Sequence, residues 1–377
     1  MTVHIAHLVY QFSTGGLENV VTQLINGLPH DRFRHTLIAV STLDEQHLQR
    51  ITRTDVGLHA LHKGPGQPFG LYPKVRRLLK QLRPDVLHSC NLAALDFVPA
   101  AAWAGVPRRV HAEHGWSAND PGGTNRKMQW ARRVYRPFVS DYVAVSQEIA
   151  DYLKLRIGVP ESRVHLIPNG IDLARFRPAT AAERQHLPAG CPFDRSRHRI
   201  IGTVGRLEPV KNHRLLLDAM ARALQQTPGA SDSLRLMLVG DGPLRAAVEQ
   251  QVQALGLTKH VWLAGNRNDV PELLRAMDVF VLCSLAEGTS CALQEAMATG
   301  LDIIATDVGG NRHLLADGDA GTLVPSGEVF KLANELGARV APGESGPLGR
   351  ARQHAAARYG LSNTITQYAR LFSAAAR

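Results

Sequence analysis

Residues 279–306, VFVLCSLAEGTSCALQEAMATGLDIIAT, decide the fold. The run opens with a short apolar stretch at 279–283, turns at Glu287-Gly288, takes up a helical pattern near 292–299 and closes with a second apolar stretch at 303–305. Strand, turn, helix and strand within about 30 residues make a βαβ unit, whose two strands lie parallel in one sheet.

The same alternation extends upstream through the chain. Upstream lie predicted strands at 199–204, 234–239 and 261–264, with helices starting near Asn212, Leu244 and Val270. The first half repeats the pattern with strands at 3–9, 35–41, 85–88, 109–113 and 142–145, and with helices from Leu17 and near 71–82, 92–104 and 126–138. Such alternation predicts parallel sheets wrapped by helices. Between the halves, 167–198 holds Pro168, Gly170, Pro178, Pro188, Gly190 and Pro192, a density of breakers at which neither sheet continues. We therefore expect an α/β protein of two Rossmann-like domains, 1–172 and 173–360, hinged near residues 169–172, with a terminal helix at 361–377. Two such domains in tandem can turn the carboxyl ends of both sheets toward one cleft, where doubly wound folds bind ligands.

Composition narrows the function. The 377 residues are 44% hydrophobic and 20% charged, as in a globular protein with more than one core. The longest nearly apolar stretch, 92–106, is broken by Asp96 and Pro99 and falls short of a membrane span. The opening MTVHIAHLVYQF lacks the basic start and cleavage site of a signal peptide, so the chain is expected in the cytosol. Cys90, Cys191, Cys283 and Cys291 form no zinc-binding spacing and read as ordinary thiols. The net charge of +10 suits nucleic acid, anionic lipid or a pyrophosphate-bearing substrate. No zinc finger, aromatic RNA-binding strand or arginine-rich tail is present, which puts nucleic acid last.

Three stretches carry candidate chemistry. After the first strand, Gly15-Gly16 leads into the helix LENVVTQLI, and unpaired amides at a helix start favour an anion. The alternative is a turn that needs glycine for positive φ, with Glu18 complementing the helix dipole. In GTVGRLEPVKN, 202–212, Arg206 and Lys211 follow a strand, where two cations can clamp a diphosphate leaving group; solvated surface is the other reading. In SLAEGTSCALQEAMATG, 284–300, Glu287 and Glu295 flank a helix start. One carboxylate can accept the vicinal hydroxyls of a ribose and the other those of a sugar, while amides from Gly288 to Leu293 meet oxygens. A helix start decorated with acids accounts for the same spacing.

Together EGTSCALQEAMATG, GRLEPVKN, LVGDGPLR and IPNGIDLARF resemble the retaining glycosyltransferases of family 4 over nearly the whole chain. GGLENVVTQLINGLP, ALHKGPGQ, NLAAL and AEHG look more narrowly like the sugar transferases of bacterial exopolysaccharide clusters linked to exosortase and PEP-CTERM sorting. The resemblance implies a GT-B fold, retention of anomeric configuration, a UDP- or GDP-linked sugar donor and no metal. It implies a donor-binding domain at 173–360 and an acceptor-side domain at 1–172, onto which the helix 361–377 crosses back. It places Glu295 on the donor ribose, Arg206 and Lys211 on its pyrophosphate, and Glu287 with Gly288, Thr289, Ser290, Cys291 and Leu293 at the transferred sugar. Gly15 and Gly16 cap the distal phosphate, His114 touches the sugar near the reacting carbon, and Gly265, Asn266, Arg267 and Asn268 face the nucleobase.

The sequence departs from the family pattern where Ser290 replaces a glycine, Asp302 a proline and His313 an acid. These put the donor's identity in question. Asp317-Gly318-Asp319 is a literal D-x-D, read here as a turn and not as a metal site. With no evident nucleophile, a front-face displacement assisted by the leaving diphosphate is expected. Retaining double displacement would need two carboxylates about 5 Å apart.

The acceptor expected is a saccharide or a lipid-linked saccharide. In RKMQWARRVYRPF, 126–138, an apolar face of Met128, Ala131, Val134 or Tyr135, and Phe138 opposes arginines, and PKVRRLLKQLR, 73–83, is a second basic helix. Both suit peripheral contact with an anionic membrane, or simple packing on the domain's own sheet. A sugar-nucleotide epimerase of the same fold, or an inactive polyanion-binding protein, are the competing functions.

Overall fold

All seven residues of VHIAHLV, Val3–Val9, are buried, the mark of a parallel strand covered on both faces. A computed structural model of the chain describes residues 2–374 except Thr14, 65–67, 117–119, Pro121 and 341–347. It divides into two units, Met1–Gly170 with Leu361–Arg377, and Ile171–Gly360.

In the first unit, β1 (Val3–Val9), β2 (Phe33–Ala39), β3 (Gly57–Ala60), β4 (Val86–Cys90), β5 (Arg108–Glu113), β6 (Asp141–Ala144) and β7 (Val164–Leu166) form a parallel sheet. Its order is β3-β2-β1-β4-β5-β6-β7, so the direction of winding reverses at β1. Successive side chains of a strand point to opposite faces. Val3 and Ile5 meet the helix Gly16–Gly27 through Val20 and Leu24, and the helix Leu361–Ser373 through Tyr368, Leu371 and Phe372. Ala6 and Leu8 face the other way, into a core shared with the helices Tyr72–Leu82 and Val98–Ala104 and the π-helical turn Tyr152–Ile157. The terminal helix thus crosses back onto the first unit, as the resemblance implied. Thr364 donates to the carbonyl of Pro168 at 3.0 Å, and Gly170 has no room for a side chain against the Leu361 backbone. The last three residues, 375–377, lie outside the described residues.

The second unit carries β8 (Arg199–Val204), β9 (Leu234–Val239), β10 (Val261–Gly265), β11 (Val279–Leu282), β12 (Asp302–Thr306) and β13 (Thr322–Val324), all parallel, in the order β10-β9-β8-β11-β12-β13. Here the winding reverses at β8. Two cores fill its faces, one built on Ile201, Leu236 and Val281, the other on Met237, Phe280 and Ile303.

No strand of either sheet lies between Leu166 and Arg199. The strands β3, β7 and β13 and the helices Val329–Gly337 and Leu348–Tyr359 carry too short or too weak a pattern to be read from the sequence. Each of those three strands sits at a sheet edge, where one neighbour suffices and the apolar run is brief.

Candidate active site

Ligands of doubly wound sheets bind at the carboxyl ends of the strands where the winding reverses. In the second unit that point lies between β8 and β11, which pair through Val279 with Ile201 and Phe280 with Gly202. The segments leaving these strands are GRLEPVKN and SLAEGTS. The amide of Leu285 donates to the carbonyl of Val210 at 2.8 Å and ties the two together.

At their junction Lys211 Nζ donates to Glu287 Oε1 at 2.6 Å, and Ser284 Oγ donates to the same oxygen at 2.5 Å. Glu287 and Ser284 are buried, while the Lys211 side chain stays 24% exposed. Arg206 is half exposed and pairs with Glu208 at 3.0 Å. Of the two predicted cations, one is therefore locked to the predicted sugar contact and the other reaches solvent.

Ser290 is the N-cap of the helix Cys291–Thr299, and its Oγ accepts the Leu293 amide at 3.3 Å. A residue that departs from the family glycine thus gains a structural role, and the Leu293 amide is engaged within the chain. Glu295 follows in the second turn, partly buried, and Thr289 is buried beside the cap.

Glycines let this edge close. A Cβ on Gly309, at φ +50, would lie 1.8 Å from the Glu287 carbonyl oxygen, and one on Gly310 would lie 2.2 Å from that of Gly288. A Cβ on Gly240 would meet the Gly205 carbonyl oxygen at 2.0 Å. The motif LVGDGPLR is in this sense a packing surface for the Arg206 loop. Gly265 ends β10 at φ +72, and its carbonyl accepts the Gly240 amide at 2.8 Å. In the same loop Arg267 pairs with Asp269 at 2.6 Å and donates to the carbonyl of Ala189. A cavity of about 550 Å³ nearby is lined by Arg175, Arg177, Asn268 and Glu272, and shares only Asn268 with the predicted nucleobase loop. His313 is exposed beside Arg358, and the D-x-D forms a turn with Asp317 at φ +57.

In the first unit the helix start at Gly15-Gly16 does not use positive φ, because Gly15 is extended at φ −174. The group nearest a Cβ on Gly15 would be the Glu18 carboxylate at 2.3 Å, the far end of a flexible side chain that can turn aside. Backbone handedness therefore does not require glycine at this helix start.

His114, at the end of β5, is buried. Its amide donates to Asn91 Oδ1 at 2.8 Å, and Asn91 itself holds the left-handed conformation, φ +59. His114 Nδ1 lies 3.2 Å from Asn169 Oδ1, an acceptor, so Nδ1 carries the proton and Nε2 is left as a lone pair. Nε2 is buried and has no partner among the described residues. Burial, outweighing the Asn169 hydrogen bond and the Glu113 charge, lowers the His114 pKa to about 4. A neutral imidazole with one free lone pair accepts a hydroxyl proton in a hydrogen bond. The Asn91 and Asn169 contacts went unread in the sequence, although both residues sit in the quoted motifs NLAAL and IPNGIDLARF.

On the same face of the sheet His7 links His35 and His88 through two contacts of 3.0 Å. Burial holds His7 and His88 well below the usual imidazole range. Among the described residues His88, Cys90 and His114 are the one three-ligand group close enough for a metal. Burial pushes the Cys90 thiol up, which disfavours the thiolate a metal needs, and we assign none.

On the opposite face Arg132 donates to both oxygens of Glu113, at 2.6 and 3.2 Å. Arg132 is thus turned inward, unlike the arginines expected to oppose the apolar face of 126–138. Burial raises the Glu113 carboxyl, but Arg132 and His111 outweigh it and hold the pKa at about 2.

Residues 198–340 match the family described as Glycosyl transferases group 1, and residues 14–175 match Glycosyltransferase Family 4. Over 314 residues, 80% of this chain and 79% of the relative, the chain is 30% identical to the putative glycosyltransferase EpsF of Bacillus subtilis (strain 168). The chain belongs to glycosyltransferase family 4. This family-4 enzyme is a nucleotide-sugar-dependent, retaining hexosyltransferase. It is 29% identical over 345 residues to the UDP-Gal:alpha-D-GlcNAc-diphosphoundecaprenol alpha-1,3-galactosyltransferase of Escherichia coli, across 89% of this chain and 87% of that one. Its GT-B fold matches the crystal structure of Anabaena HepE in complex with UDP-glucose, with a TM-score of 0.79 and 24% identity over 98% and 99% of the two chains. No helix of the described residues is long and apolar enough to cross a membrane.

Proposed function

We propose that this transferase moves a hexose from a UDP-sugar to a hydroxyl of a lipid-linked saccharide at the cytoplasmic face of the membrane. The setting is assembly of an exopolysaccharide of the exosortase and PEP-CTERM type. The observation that carries the reading is the junction of Lys211, Glu287 and Ser284 at the carboxyl ends of β8 and β11. Support for the donor and acceptor comes from the names of its relatives, one using UDP-Gal on a diphosphoundecaprenol-linked sugar and one described with UDP-glucose.

In this reading residues 173–360 hold the donor and residues 1–172 serve the acceptor. Arg206 and Lys211 bind the diphosphate, Glu295 the ribose, and residues 265–268 the nucleobase. Glu287 and the backbone of Gly288, Thr289, Ser290 and Cys291 contact the sugar. His114 Nε2 accepts a sugar hydroxyl, and Gly15 and Gly16 cap the distal phosphate. The bond from the anomeric carbon to the diphosphate oxygen breaks while the acceptor oxygen attacks from the same face. The acceptor proton passes to the departing phosphate oxygen. No metal takes part; stabilisation of the growing negative charge by the two cations and by amides supplies most of the rate.

A thermal-shift screen of UDP- and GDP-sugars tests the donor, since a tight ligand stabilises the folded chain. Donor affinity and turnover are then compared in Glu295→Ala, Lys211→Ala and His114→Ala. Unchanged values in all three sink the site assignment. Product formation only in the presence of acceptor separates transfer from epimerisation.

A further inference from the structure

Of the apolar face expected on 126–138, Tyr135 and Phe138 are turned inward. They pack on the same core as Val75, Leu79, Ala101 and Leu153. Val134, the expected alternative to Tyr135, points outward instead, 42% exposed, together with three side chains that the sequence pattern did not single out: Trp130 at 66%, Trp103 at 58% and Leu155 at 81%.

These side chains belong to one layer. The helices Tyr72–Leu82, Val98–Ala104 and Arg126–Tyr135, with the turns Arg136–Phe138 and Tyr152–Ile157, all contribute to that core on one face of the sheet. Their outer sides adjoin. Arg76 Nε donates to the carbonyl of Trp103 at 3.2 Å, and the Trp103 and Phe138 rings meet edge-on at 6.2 Å. Arg133 donates twice to the carbonyl of Arg156, at 3.0 and 2.5 Å.

These five segments contain 11 Lys and Arg and no Asp or Glu. Arg132 is spent on Glu113, and Lys154 pairs with Asp151 and Glu161. Arg77, Lys80, Arg126, Lys127, Arg133 and Arg156 are exposed and form no ion pair among the described residues. A protein interface also gathers tryptophan and arginine, but it depletes lysine; here Lys80 and Lys127 stand exposed among the arginines and no acid of these segments balances them. Tryptophans set among such cations match a bilayer surface, where indole rings settle at headgroup depth and cations meet anionic lipid.

We propose that this helical layer of the first unit is a docking face for an anionic membrane, with Trp103, Trp130 and Leu155 entering the headgroup region. The inference rests on the proposed function only for its purpose, bringing the enzyme to a lipid-linked acceptor. Binding is measured without donor or acceptor, so its failure and the failure of that reading are separate results.

The full chain is floated with vesicles of phosphatidylcholine, with or without phosphatidylglycerol. Binding is expected only with phosphatidylglycerol and falls as salt rises. Acrylamide quenching of tryptophan fluorescence is expected to drop on binding. Arg77→Glu with Lys80→Glu and Arg126→Glu lowers partitioning by about two orders of magnitude or more, at roughly a factor of five per cation lost. Trp103→Ser with Trp130→Ser and Leu155→Ser lowers it by at least about tenfold. Trp103→Phe with Trp130→Phe, which keeps the apolar bulk, retains most binding and controls for folding alongside the thermal melt. Equal binding to both vesicle types, unchanged quenching, or folded variants that bind like the parent chain would each overturn the proposal. So would salt-sensitive binding to RNA or to an acidic protein with none to vesicles.

Discussion

Lys211 Nζ donates to Glu287 Oε1 at 2.6 Å, and Ser284 shares that oxygen. The chain thus holds its candidate phosphate cation against its candidate sugar contact. Lysine has three N–H donors, so a diphosphate can join without breaking the pair. Removing Lys211 leaves a buried carboxylate short of a partner. Lys211→Ala is expected to lose about 1–3 kcal/mol of stability, less than for a fully buried pair because the lysine is partly exposed. Turnover falls about 10²–10³-fold if it stabilises the leaving group. Glu287→Gln in the Lys211→Ala background recovers part of the stability and none of the turnover. Chemical denaturation and steady-state kinetics check both.

His114 owes its tautomer to Asn169. Asn169→Ala frees Nδ1 and lets the ring turn, so kcat/KM falls about 10–100-fold, by analogy with losing a partner that orients a ligating histidine. Asn169→Asp keeps the hydrogen bond but adds a negative charge, which raises the His114 pKa from about 4. The acid limb of the pH–rate profile then moves to higher pH. A limb that stays in place would show that His114 does not govern it.

Buried histidines make the fold acid-sensitive. His114, His47 and His213 are lowered to about 4 and His35 to about 3, in each case chiefly by burial. Their folded pKa values lie below the unfolded value of about 6.5, so the unfolded chain binds more protons in between and stability rises with pH there. The contribution is fully present above about pH 6.5 and is lost as pH falls toward 4. Each histidine adds up to about 1.4 kcal/mol per pH unit in that window. Glu113, held at about 2, acts in the same direction at lower pH. Denaturant melts between pH 7 and 4 measure the slope.

Ser290 caps its helix. Ser290→Ala is expected to cost about 1 kcal/mol and Ser290→Gly, which restores the family residue, only a few tenths. If serine shapes the sugar pocket as well, Ser290→Gly changes the preferred donor while the melting temperature barely moves. A nucleotide-sugar panel on both proteins reads this.

Gly309 and Gly327 give a paired test of close packing. Both have positive φ, but a Cβ on Gly309 strikes the Glu287 carbonyl while one on Gly327 meets open space. Gly327→Ala costs about 1–2 kcal/mol from backbone handedness alone. Gly309→Ala should cost more and also weaken the donor, because it displaces the Glu287 backbone. Thermal melts with and without donor separate the two effects.

The alternation of strand and helix was legible because it is written locally. Val3–Val9, Arg199–Val204 and Leu234–Val239 are apolar runs between breakers, and a parallel strand buried on both faces needs nothing more. The family motifs likewise single out Arg206, Lys211, Glu287 and His114 as candidates from their own stretches of sequence. Tertiary structure decided their partners. Lys211 meets Glu287 across 76 residues and His114 meets Asn169 across 55. No local spacing encodes such a distance; it follows from which strands lie side by side. The same holds for the outward turn of Trp103, Trp130 and Leu155, since which face of a helix is buried depends on the sheet beneath it as well as on its own period. The sequence by itself determined the elements and the chemistry available; packing of remote strands decided which groups are neutral, paired or turned to the surface.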